Sequence, residues 1–106
     1  MIQAQIKTLA ESIFPEVIDI RRHLHQHPEL SFQETQTGRY IAQKLQEFGI
    51  EYQHGIAENG VVGLIKGKDP DRAVVALRAD FDALPIEEAN EVPYKSQNPG
   101  VMHACG

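Results

Sequence analysis

The chain has 106 residues, of which 42% are hydrophobic and 24% charged, enough for one small globular domain with a modest core and too few for two. Ten Lys and Arg against fifteen Asp and Glu leave a net charge of −5, so the surface has no electrostatic footprint for nucleic acid. No apolar run is long enough to span a bilayer, no basic-then-apolar leader opens the chain, and Cys105 is the single cysteine; these exclude a disulfide scaffold and predict a cytoplasmic protein with no membrane partner.

In chain order, Ile13, Val17, Ile20 and Leu24 recur at helical spacing, with Pro15 suited to a first turn and Ser12 to a cap ahead of it. Pro28 ends that helix. A second helix is predicted from the Ser31-Phe32-Gln33-Glu34 spacing of a capping box, with Ile41, Leu45 and Phe48 along one face and Gly49 as its stop.

The period then changes. Ile50 to His54 alternates as a half-buried strand, Asn59-Gly60 marks a turn, and Val61 to Ile65 forms a second strand. Ala73-Val74-Val75-Ala76-Leu77 is apolar without alternation and predicts a strand buried on both faces in the middle of a sheet. From Ala79 onward no regular element is expected. The whole reads as α/β: two helices, then at least three strands.

Three stretches could carry chemistry. Asp80 and Asp82 follow the third predicted strand, and the carboxyl ends of strands are where open α/β sheets place their ligands. If the chain is extended there, both carboxylates point one way and repel unless a cation lies beside them, although on position alone they serve equally well as turn residues facing water. Met102-His103-Ala104-Cys105-Gly106 offers a thiolate and an imidazole two residues apart, a plausible but incomplete set of zinc donors. His23, His25 and His27 resemble a metal cluster, yet histidines at a helix end that bond to backbone explain them better. Glu87 and Glu88 read as solvated surface.

Taken together, His25-Gln26-His27-Pro28-Glu29-Leu30-Ser31-Phe32, Leu77-Arg78-Ala79-Asp80-Phe81-Asp82-Ala83-Leu84-Pro85-Ile86 and Met102-His103-Ala104-Cys105-Gly106 resemble the N-terminal signature of the M20 peptidase family. The branch they resemble is that of the N-acyl-amino-acid amidohydrolases, which includes hippurate and auxin-conjugate hydrolases. The resemblance implies a zinc-exopeptidase-type α/β catalytic domain with an inserted lid domain that often dimerises. It also implies two divalent metal ions per subunit (zinc, manganese, cobalt or nickel) and hydrolysis of the amide bond of a small N-acyl amino acid.

By that resemblance Cys105 is a metal ligand, and Asp82 matches the aspartate that orients a ligand in the wider family. Asp80 stands where the wider family has a metal-binding His, a departure shared by the amidohydrolase branch. It argues against a direct metal role for Asp80 and weakens the transfer of the orienting role to Asp82. The family's remaining ligands and its glutamate base would follow Gly106. Residues 1–106 therefore read as part of a catalytic domain cut within its metal motif, without the lid, inactive alone and prone to aggregation. A non-catalytic α/β remnant and an M20 dipeptidase are the alternatives; Cys105 and Asp80 argue against the dipeptidase.

Overall fold

A computed structural model describes residues 1–105. It contains helix α1 (Ile2–Gln26), helix α2 (Thr35–Glu47) and an antiparallel hairpin of β1 (Glu51–Ile56) and β2 (Gly60–Leu64). Gly106, the last residue of the cysteine motif, lies outside the described residues.

Helix α1 runs through Pro15, which is therefore an interior residue and not a first-turn one. Ser12 Oγ donates to Leu9 O at 2.6 Å, the back-bonding of a mid-helix hydroxyl, so it caps nothing. Proline removes one backbone donor and crowds the preceding turn, but long helical runs on both sides keep the element continuous. Along α1 the apolar stripe of Ile2, Ile6, Leu9, Ile13 and Val17 is 48–72% exposed, and no residue of the helix is buried.

Helix α2, whose buried residues are Thr37, Gly38 and Ala42, packs on the hairpin, with Gly38 against Asn59 and His54 and Leu45 against Gly63. Gly38 is required there: a Cβ on it would lie 2.6 Å from Asn59 O. The expected capping box does not form. Instead Glu29 Oε1 accepts from Thr37 N at 2.5 Å and Thr37 Oγ1 at 2.6 Å, and Glu29 Oε2 accepts from Gln36 N at 3.3 Å. A carboxylate from before the helix thus satisfies the first-turn donors. The cause is the turn closed by Gln33 N to Leu30 O at 2.9 Å, which carries Ser31 away from the helix. Gly49, at φ 70°, ends α2 in the left-handed conformation as its sequence position predicts.

In the hairpin Glu51 pairs with Leu64 and His54 with Val61, with a bulge between His54 and Ile56. Gly55 at φ 85° absorbs that bulge, and Ala57 and Glu58 make the turn in the same positive region. Both strands are more exposed than an alternating, half-buried pattern predicts.

The third strand is absent. Residues 73–77 form no strand among the described residues, and Val74, Val75 and Leu77 are 85%, 88% and 97% exposed. A strand buried on both faces needs a ladder partner and a layer on each side, and the described sheet has two strands only, paired with each other.

Candidate active site

The site begins where α1 ends. Pro28 is fully buried, and Leu30 forms a parallel bridge with Ala83, whose N–H donates to Glu29 O at 2.8 Å. The next residue, Leu84, forms an antiparallel bridge with Met102, Leu84 N to Met102 O at 2.9 Å and Met102 N to Leu84 O at 3.0 Å. Two isolated bridges therefore bring together three segments far apart in sequence, and they are the three that carry the motifs.

Asp82 sits beside the first bridge, half-buried, and its Oδ2 accepts from Ser31 Oγ at 2.6 Å. A short O–H···O⁻ bond of this kind fixes the carboxylate's orientation. Asp80 lies further out, where Arg78 pairs with it at 2.9 Å in an exposed ion pair. An open cleft of about 270 Å³ includes Ser31, Asn59, Arg78, Asp80 and Asp82 in its lining.

His103 follows the second bridge. Its Nε2 is buried and has no hydrogen-bond partner among the described residues. Burial holds its pKa below the ordinary 6.5; the charge of His25 pushes the same way and that of Asp82 opposes it. Cys105, two residues on, is a free, exposed thiol.

The histidines of α1 divide their work. His27 Nδ1 bonds His23 O at 2.8 Å, the backbone attachment expected of a helix-end histidine. His23 stacks on Tyr40 with ring centroids 3.9 Å apart, and burial, ahead of the nearby charges of His27 and Lys44, lowers its pKa. His25 turns elsewhere, to Glu88, with Nε2 3.0 Å from both carboxylate oxygens.

Glu88 is a correction. Expected at a solvated surface, it is 3% exposed. Besides His25 it accepts from Ser96 N at 2.7 Å and Asn90 Nδ2 at 3.1 Å. The Ser96 N–H and then His25 hold its carboxyl well below the ordinary 4.5, at about 2, against the opposing effect of burial. A carboxylate so acidic only accepts, so the His25 ring carries its proton on Nε2. Nothing local in the sequence marks the pair, whose members are 63 positions apart.

Among the described residues no group of three or more His, Cys, Asp or Glu side chains is placed to hold a metal ion. The donors near Met102–Cys105 fit a borderline-soft divalent ion in kind, through a free thiol beside an orphaned imidazole nitrogen, but in number they supply only part of a coordination shell.

The profile of Peptidase family M20/M25/M40 matches residues 76–106. An N-acyl-L-amino acid amidohydrolase of Geobacillus stearothermophilus is 48% identical over 106 residues, covering 100% of this chain and 28% of that protein. The hippurate hydrolase of Campylobacter jejuni is 45% identical over 102 residues, covering 90% of this chain and 26% of its own length. Among solved structures, a Bacillus subtilis protein described as a dinuclear metal-binding peptidase from the M20 family superposes with a TM-score of 0.83 at 45% identity, over 90% of this chain and 27% of that one. The chain thus spans about a quarter of the length of the curated relatives it matches. Motif, sequence identity and fold agree in their likeness: over these residues the chain is similar to members of the M20/M25/M40 peptidase family.

Proposed function

We propose that the full-length protein hydrolyses the amide bond of N-acyl amino acids, and that these residues supply one edge of its metal-dependent catalytic centre. The observation that carries this reading is the convergence of the three motif segments through the Leu30–Ala83 and Leu84–Met102 bridges. Convergence of separate segments on one cleft is how a site is assembled. The names of the relatives, an N-acyl-L-amino acid amidohydrolase and a hippurate hydrolase, support the substrate class.

In this reading Cys105 ligates one of two divalent ions (zinc, manganese, cobalt or nickel), and Asp82, held by Ser31, orients a ligand brought from the rest of the protein. Divalent ions bound in such a centre activate water and polarise the scissile carbonyl. The inserted lid, the remaining ligands and the general base belong to the rest of the protein, which forms a homodimer or larger assembly in the cytoplasm. The 106-residue chain alone is inactive, because a single thiolate and its neighbours cannot hold two ions in a closed cavity.

Activity of the full-length protein on N-benzoyl and N-acetyl amino acids tests this. Turnover is expected to vanish on chelation and return with zinc, manganese, cobalt or nickel. Cys105→Ala is expected to lose about one hundredfold in activity, the scale on which metal-site changes act. Turnover of unblocked dipeptides with none of acyl amino acids would move the assignment to a dipeptidase, and turnover by residues 1–106 alone would overturn the inactivity of the isolated chain.

A further inference from the structure

We propose that Glu88 is a positioning residue, the buried carboxylate that sets the place of the cysteine-bearing segment; this rests on the metal role of Cys105 proposed above. Four contacts converge on the carboxylate. Both oxygens face His25 Nε2 at 3.0 Å, Oε1 accepts from Ser96 N at 2.7 Å, and Oε2 accepts from Asn90 Nδ2 at 3.1 Å. His25 belongs to α1, so the carboxylate clamps the irregular segment to the helix.

From Ser96 the connection continues. Ser96 Oγ donates to Val101 O at 2.7 Å, and Val101 is buried and adjoins Met102, the residue bridged to Leu84. Two further bonds pin the same loop to the end of α1: Gln97 N to Gln26 O at 2.9 Å and Asn98 Nδ2 to Pro28 O at 3.1 Å. The segment carrying His103 and Cys105 is thus held from one side by the Leu84 bridge and from the other by the path from Glu88.

A buried carboxylate is a costly way to fill space, and an apolar residue of similar volume would often stabilise as well. What the charge adds is direction. Its acceptors fix a polar backbone that no helix or sheet ladder holds, at the point where a ligand must be presented to within fractions of an ångström. The role of Glu88 requires no contact with substrate. It acts through Ser96 and Val101.

The test is Co²⁺ binding by the metal-free full-length protein, read by chelator competition and by the thiolate-to-cobalt absorption band. Glu88→Gln is expected to weaken Co²⁺ binding by about tenfold to one hundredfold and to shift the band, with Glu88→Asp recovering part of the loss. Ser96→Ala, which leaves the carboxylate and its bond from Ser96 N in place but removes the hydroxyl's bonds to Val101 O and to Asn98, is expected to weaken binding about threefold to tenfold, the scale of a neutral hydrogen bond. A folded Glu88→Gln protein with wild-type cobalt affinity and spectrum would show a purely structural carboxylate and overturn the proposal. If that variant does not fold, Ser96→Ala decides, and unchanged binding overturns it. Failure of the underlying reading looks different: wild-type protein that binds no Co²⁺, or a cobalt band that survives Cys105→Ala, removes the ligand itself and the proposal with it.

Discussion

Residues 73–77 and residues 83–102 reverse what their compositions promise. The first stretch, Ala73-Val74-Val75-Ala76-Leu77, is wholly apolar and lies open to solvent. The second is rich in Glu, Asn and Pro and contains no helix or strand, yet it holds the buried Ala83, Glu88 and Val101 and is tied to α1 and to itself by hydrogen bonds. The difference is one of partners. Apolar burial is non-directional and needs a large opposing surface, whereas a polar network can order a short segment with a few well-aimed bonds. With about a quarter of its relatives' length present, the chain satisfies the second kind of demand and not the first.

The sharpest way to break this comparison is a charge in the apolar stretch. Val75→Asp in the full-length protein is expected to cost about 3–5 kcal/mol or to prevent folding, because it would bury an unpaired carboxylate. In the 106-residue chain, where Val75 is 88% exposed, the same change is expected to alter stability by less than about 0.5 kcal/mol and to reduce aggregation. Urea denaturation of both forms checks it. Equal tolerance in the two would mean that the stretch stays uncovered in the whole protein.

The polar stretch is challenged by acid. Glu88 has a folded-state pKa of about 2 against an ordinary 4.5, so the folded state binds its proton more weakly than the unfolded one. Its contribution is complete above about pH 4.5 and is lost as the pH falls from there toward 2. Acid unfolding of the metal-free full-length protein followed by circular dichroism is expected to show this loss, and Glu88→Gln is expected to flatten the dependence in that window. An identical acid profile for the variant would show that the carboxylate is not held as the hydrogen bonds indicate.

The same contrast explains what could be read from sequence. Helix α2 and its Gly49 stop are written in local patterns, and they form; the turn expected at Asn59-Gly60 also forms but falls earlier, over residues 57–59, with Gly60 already opening β2. Residues 73–77 are legible as apolar, but apolarity alone supplies no ladder partner, and no strand pairs with them among the described residues. The capping box at Ser31 has the right spacing, yet a tighter turn at Leu30–Gln33 sends Ser31 to Asp82 and leaves Glu29 to cap. Of the site, the three motif segments were visible through their family resemblance, and the bridges joining them are now observed. The His25–Glu88 pair was not visible: neither residue has a local signature, and only the bridged backbone brings them within 3.0 Å.

The smallest expected effect is the most discriminating about the two aspartates. Asp80 and Asp82 share a cleft, but Asp80 is paired with Arg78 where both side chains are mostly exposed, at 67% and 88%, while Asp82 is half-buried against Ser31. Exposed ion pairs contribute little, because water solvates both partners well and salt screens what remains. Asp80→Asn is therefore expected to change stability by less than about 0.5 kcal/mol and to leave the metal content of the full-length protein at the wild-type level. Metal analysis beside a denaturation curve checks both. A variant that lost metal while keeping its stability would make Asp80 a ligand, and the exposed end of the cleft would then join the metal centre proposed at Cys105.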